Sequence, residues 1–305
     1  MRKLAIIIVP VIAMFFASCS SSKDSDQNYW NEIQNNYHIY APPLPDHLDF
    51  AGEPVPLQYF DVRQSLDREI LKLMYWHSEI ILYLKRAKKF FPIVEPILKK
   101  YGIPDDFKYM MVAESGMTPV KSPAGAAGYW QFMEKIGKKY GLEINDQIDD
   151  RYNIYKSTAA ACKYLQDAYK RYNNWTLAAA SFNVGNTALD RAIRKQKQNS
   201  FYDLALNVET ARYLYRILAL KVIMENPRKY GFIIREKEYY KPIKTKFVKV
   251  DTSVSSWPDF AISQGTNYKI LLLLNPWIRS SKLDNPNRKI YYVEIPEKNA
   301  RIVKK

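Results

Sequence analysis

The sequence has only two cysteines, Cys19 and Cys162, and only three histidines in 305 residues. That scarcity excludes a disulfide framework and leaves no cysteine-rich zinc site. The apolar run Leu4 to Phe16 falls short of the roughly 20 residues a helix needs to cross a bilayer. No internal repeat is evident, which removes the solenoid architectures. Negative charge is also short: 31 acidic residues face 46 basic ones, a net of +15. The excess is uneven, because residues 228–305 hold 17 Lys and Arg against 7 Asp and Glu. Such a field favours nucleic acid, acidic lipid headgroups or an acidic wall polymer. A merely solvated basic surface has the same composition.

The N-terminus narrows those partners. Arg2 and Lys3 precede the short apolar run, and the small residues Ala17 and Ser18 follow it. This is the pattern of a secretory signal over residues 1–18. Phe16-Ala17-Ser18-Cys19 resembles the lipobox of bacterial lipoproteins, and the resemblance implies a lipid on Cys19. An ordinary signal peptide with an incidental cysteine is the other reading. Export leaves membrane and wall as partners and no nucleic acid. The expected place is the cell envelope, facing the periplasm and anchored by lipid to a membrane, the outer membrane by preference. Cys162, in the run Ala159 to Ala161, then reads as a small buried hydrophobe.

Residues 19–59 read as a tether, polar from Ser20 and stiffened by Pro42, Pro43, Pro45, Pro54 and Pro56. From Phe60 the pattern is helical. Val62, Leu66, Ile70, Leu73, Trp76, Ile80 and Leu84 recur at spacings of three and four, with interruptions expected at Pro92 and Pro96. Asp105 and Asp106 suit the start of a helix that runs to about Glu114. Ala161, Leu165, Ala168 and Tyr172 give another helix after Ser157-Thr158, a plausible cap. Trp175 to Ala180 is a short helix, and Leu214, Leu218 and Val222 mark one more, ended by Asn226-Pro227. After Gly231 the texture changes. Ile243, Thr245 and Phe247 alternate with lysines as a half-buried strand, Ile290 to Ile295 is a second strand, and Tyr268 to Asn275 is a helix between them. The expected fold class is mainly α, with a helical body at 60–230 and a small α+β module at 231–305.

Glu114 stands out chemically. It follows Met110-Met111-Val112-Ala113, and apolar neighbours raise a carboxyl pKa so that the group stays protonated near neutral pH. A general acid for a glycosidic oxygen needs that property. A solvent-facing glutamate at a helix end fits the same residues, and taken alone it is the simpler reading.

Longer motifs change the balance. Glu114-Ser115-Gly116, followed by Ser122-Pro123-Ala124-Gly125-Ala126-Ala127-Gly128-Tyr129-Trp130-Gln131-Phe132-Met133, resembles the active-site segment of lytic transglycosylases. The type is the soluble and membrane-bound D type, with a goose-lysozyme-like helical catalytic domain. Ala180-Ser181-Phe182-Asn183-Val184-Gly185 is similar to that family's Ala-Tyr-Asn-Ala-Gly motif, and Glu209-Thr210-Ala211-Arg212-Tyr213 to its Glu-Thr-x-x-Tyr segment. Asp149-Asp150-Arg151 fits as well, and the resemblance covers about residues 70–231.

The resemblance implies cleavage of the β-1,4 bond between N-acetylmuramic acid and N-acetylglucosamine by one carboxyl, Glu114. That group protonates the leaving oxygen, then draws the proton from the muramoyl C6 hydroxyl as a 1,6-anhydro ring closes. Hydrolytic glycosidases place two carboxyls about 5 to 9 Å apart. Here no second acidic residue within these motifs is as natural as Glu114; Glu134 and Asp149 are candidates, and each also reads well as surface charge or a cap partner. The resemblance also implies that Ser122 and Gln131 border the cleft and that Gly125 and Gly128 admit the sugar to the backbone. Asn183 would hold an acetamido group or the surroundings of Glu114, and Tyr129, Trp130 and Tyr213 would line saccharide subsites. Core packing competes for each aromatic. No metal and no cofactor is implied. Phe182 departs from the family pattern, where a tyrosine stands; a phenol is lost there, and Tyr213 is a possible replacement.

The tail is similar to a degenerate LysM glycan-binding module through Asp259-Phe260-Ala261, Gly265-Thr266-Asn267-Tyr268, Leu273 to Trp277 and the last strand. A basic appendage packed on the catalytic body is the alternative. The expected partners are peptidoglycan glycan strands and, through the anchor, a membrane. Two other functions stay open: a wall-binding lipoprotein of weak or no activity, and an envelope scaffold.

Overall fold

A computed structural model of the chain describes residues 20–36 and 38–302. The signal segment 1–18 and Cys19 lie outside the described residues. Among the described residues no helix is long and apolar enough to cross a membrane. The chain divides into two units, Met1–Ala41 and Pro42–Lys305.

In the first unit the polar tether expected after residue 19 is instead helix α1 (Ser20–Asn36). No proline lies between Ser20 and Ala41 to break it, and Gln27 Nε2 donates to Asn31 Oδ1 one turn on, at 3.1 Å.

In the second unit the expected tether is corrected again, because residues 42–59 join the core. Phe50, Val55 and Leu57 are buried, and strands β1 (Asp49–Phe50) and β2 (Glu53–Pro54) pair as a small hairpin. Glu53 reaches across to accept the backbone N–H groups of Trp175 and Thr176, the first residues of a later helix. Proline-rich composition signals irregular backbone, and three buried apolar side chains decide that this backbone packs.

The long apolar periodicity from Val62 belongs to two helices, α2 (Phe60–Met74) and α3 (His77–Lys100), broken at Tyr75 and Trp76. Pro92 and Pro96 lie inside α3 and do not end it, contrary to expectation. Each lacks an N–H, yet Ile80 and Leu84 before them, Val94 between them and Leu98 after them are buried on one side. That burial, at about 1.5 to 3 kcal/mol for each side chain, offsets a cost of about 3 kcal/mol for each interior proline. Then follow α4 (Phe107–Ser115), α5 (Glu134–Lys139), α6 (Ile154–Tyr172), α7 (Trp175–Val184), α8 (Asn186–Gln196) and α9 (Val208–Glu225). The cap of α6 is Asn153, whose Oδ1 accepts from Tyr155 and Lys156; Ser157 and Thr158 lie inside the helix. Asp106 stands at the N-cap of α4, but its side chain makes no cap bond; its carboxylate takes Lys221 at 2.8 Å and the Ala51 N–H at 2.7 Å. α9 runs through the middle of the body, packed on α2, α4 and α7. Cys162 is fully buried there, and burial pushes its thiol up to about 12.

The last residues form β3 (Thr245–Val250), α10 (Trp257–Ser263), α11 (Tyr268–Leu274) and β4 (Tyr291–Pro296), with β3 and β4 antiparallel. Val250 takes the buried face of β3, while Phe247 is 51% exposed, so the expected inward face is reversed. This module has its own core of Trp257, Leu271, Val293 and Ile295, which also includes Ile148 and Tyr152 of the helical body. Backbone bonds continue the contact: Asp149 N–H donates to Trp277 O, and Arg279 N–H to Gln147 O. The molecule is mainly α with a small α+β module, as expected.

Candidate active site

Glu114 sits in the last turn of α4 behind the buried Met110, Met111 and Val112, and its own side chain is half-buried. Gly116 ends the helix at φ 57° with its N–H on Val112 O, a left-handed conformation that favours glycine. A side chain there would strike the Tyr83 ring at 2.4 Å, so the close approach also requires glycine. Ser115 Oγ donates to Tyr129 O at 2.7 Å and ties the end of α4 to the following loop.

From α9, the fully buried Tyr213 hydroxyl donates to Glu114 Oε1. Burial pushes the Glu114 carboxyl up to about 7, the Tyr213 hydrogen bond and the Arg216 charge pull it down, and Glu209 raises it slightly. Burial and the Glu114 charge hold the Tyr213 phenol well above its usual range. The site therefore places a carboxyl poised near neutrality against a phenol that stays protonated. It can give or take a proton at one oxygen while the other is held.

The loop after Ser122 is built by its own polar groups. Ser122 Oγ accepts the Ala126 N–H at 3.1 Å, and Gln131 Nε2 donates to Val120 O and Gly128 O at 3.0 and 2.8 Å. Arg151 clamps it, donating Nη1 to Gly125 O and Phe132 O, while Asp149 holds the other side of the guanidinium at 2.7 Å. The room expected at Gly128 for a sugar is taken by the chain itself: a Cβ there would lie 1.8 Å from Arg151 O. Ser122 and Gln131 likewise spend these bonds on the loop rather than on Glu114.

The aromatics divide. Trp130 is core, its Nε1 on Thr158 Oγ1 at 2.9 Å. Phe182 is half-buried among Phe132, Tyr164 and Trp130, with centroids at 5.3, 5.0 and 6.4 Å. Tyr129 is nearly buried, and with Tyr152, Trp277 and Tyr291 it lines a cavity of about 440 Å³ between the helical body and the C-terminal module. Asn183 Oδ1 accepts from Thr210 Oγ1 at 2.9 Å and joins α7 to α9. Glu134 is exposed and paired with Lys138 at 2.6 Å, and Asp149 is paired with Arg151, so neither is a free carboxylate for the site. Sequence reasoning missed Arg216. Its position three residues after Tyr213 and four after Arg212, on a helix that is mostly apolar beyond it, is the signal that would have found it.

Comparison with known proteins finds two matching domain models and named relatives. The model for the Transglycosylase SLT domain matches residues 93–205, and that for the Soluble lytic transglycosylase C-terminal LysM-like domain matches residues 246–299. Two proteins named Membrane-bound lytic murein transglycosylase D, from Escherichia coli K12 and from an O6:H1 strain of the same species, are each 26% identical over 245 residues. Those alignments cover 78% of this chain and 52% of theirs, so the chain spans about half the length of the curated relatives it matches. This chain thus carries a lytic transglycosylase SLT domain followed by a LysM-like C-terminal domain, and is homologous to membrane-bound lytic murein transglycosylase D.

Proposed function

We propose that the chain is a peptidoglycan lytic transglycosylase that cuts the bond between N-acetylmuramic acid and N-acetylglucosamine with Glu114 as its single acid and base. The supporting observation is the Glu114 carboxyl at about 7, held by Tyr213, with Glu134 and Asp149 both committed to ion pairs. At neutral pH about half of such groups carry the proton that the glycosidic oxygen requires. After bond cleavage the carboxylate takes the proton of the muramoyl C6 hydroxyl, whose oxygen bonds to C1 and closes the 1,6-anhydro ring. Atoms balance without water, so no second carboxylate has to activate one, and holding the hydroxyl beside C1 is a proximity effect. Tyr213 steadies the carboxyl and supplies the phenol that Phe182 lacks.

Asn183 and Tyr129 are proposed to face substrate. Ser122, Gly128 and Gln131 are proposed to set the loop that carries Tyr129, and Phe182 to pack beneath it. The LysM-like module is proposed to hold glycan strands, and Cys19 to carry the lipid that keeps the enzyme at an envelope membrane, facing the periplasm. Digestion of purified sacculi tests the reaction: muropeptides lighter than the hydrolytic products by one water are expected, and only reducing ends would indicate a lysozyme. A weakly active wall-binding protein is the second reading, motivated by Phe182. Binding to sacculi without any product would favour it.

A further inference from the structure

A cavity of about 640 Å³ reaches Val112 and Ala113 near the end of α4, and the proposed reaction makes no use of it. Its walls come from α2, α4 and α9. Arg212 and Arg216 stand four residues apart on one face of α9, Glu69 and Lys72 come from α2, and Ala113 is the residue before Glu114. The exposed Trp76 and the ring of Tyr83 complete an aromatic side.

The charges in it do not cancel. Glu69 is buried and already engaged, by Arg212 Nε at 2.7 Å and Arg68 Nε at 3.2 Å. Among the described residues no carboxylate pairs with Lys72 or with the half-buried Arg216. Arg216 meets the charge of Glu114 but forms no ion pair with it, and a planar carboxylate is the natural partner of its guanidinium. The charge of Arg216 also acts on both Tyr83 and Glu114, so the cationic end of the cavity is its end toward the catalytic carboxyl. The volume is that of a pocket for a small ligand rather than a groove for a polymer. In peptidoglycan the small, anionic substituent next to the cleaved bond is the peptide on the muramoyl lactyl group, which carries free carboxylates.

We propose that this cavity receives the peptide stem of the muramoyl residue, with Arg216 taking one stem carboxylate and Lys72 and Arg212 forming the rest of the cationic rim. The inference rests on Glu114 as the catalytic group and adds the substituent that the site selects. A disaccharide peptide in which N-acetylglucosamine precedes the muramoyl peptide has no bond for this enzyme to cut. Its affinity for the full chain can therefore be measured whatever Glu114 does. The probe is used in native form and with its carboxylates converted to methylamides. The native probe is expected to bind about tenfold more tightly, the value of one charge-assisted hydrogen bond. Arg216→Met should abolish that preference, and Arg216→Lys should keep part of it. Equal affinity for the two probes in the unaltered chain would overturn the proposal, as would an undiminished preference in Arg216→Met. Loss of anhydro products in Glu114→Gln reports on the catalytic reading separately.

Discussion

At the scale of single residues, the Glu114 carboxyl and the Tyr213 hydroxyl govern the pH behaviour. With the acid form of Glu114 starting the reaction, as proposed, kcat/KM should fall as pH rises through about 7. Tyr213→Phe removes a bond that lowers the Glu114 pKa, so the alkaline limb of the pH profile should move to higher pH while the rate drops roughly tenfold or more. A limb that stays in place would separate Tyr213 from the catalytic carboxyl. The same burial has a stability consequence. Folding raises the Glu114 pKa from its ordinary 4.5 to about 7, so the folded state binds the extra proton and loses stability as pH rises between those values. Glu114→Gln should therefore melt higher than the parent at pH 8, by on the order of 2 kcal/mol of stability, and show no such gain at pH 4. Phe182→Tyr adds a hydroxyl among Phe132, Tyr164 and Trp130, while Tyr213 already supplies a phenol. Its turnover should stay within about threefold of the parent, and a larger rise would show that the missing hydroxyl limits catalysis.

At the scale of elements, the Arg151 clamp and the Gly128 approach fix the loop that follows α4. Gly128→Ala would place a methyl 1.8 Å from Arg151 O at a φ of +82°, and a melting curve should show a loss of at least about 3 kcal/mol. Arg151→Ala leaves Asp149 buried without its partner and should cost a similar amount. Both arrangements were only half legible in the sequence. Asp149-Asp150-Arg151 and the glycines stood out as motif, but their partners are each other, and no periodicity reveals which of two motifs closes on the other. The helices read well where one face is apolar, as in α6 and α9. Pro92 and Pro96 misled because local propensity yields to burial of Val94 and Leu98, and that burial depends on residues distant in sequence. Phe50, Val55 and Leu57 were hidden for the same reason: hydrophobic residues spaced among prolines give no period, although they meet the core. Tyr213 was legible only through its motif, since nothing in composition says that α9 returns to the end of α4.

At the scale of the whole molecule, the LysM-like module and the helical body share a core. Ile148 and Tyr152 pack with Leu271 and Val293, Glu143 takes Lys289 and the Tyr291 hydroxyl, and Ile148 bridges to Ile278. The two domains should therefore unfold in one thermal transition. Truncation after residue 240 should lower the melting temperature of the body and expose Ile148 and Tyr152. Two separate transitions in the intact chain would show that the shared core contributes little. The central claim is one carboxyl and no water, and the mass of the products tests it most directly. Sacculi digested with the parent chain should yield 1,6-anhydromuropeptides, one water lighter than lysozyme products, and Glu114→Gln should yield none. Anhydro products from Glu114→Gln, or only reducing ends from the parent, would contradict it.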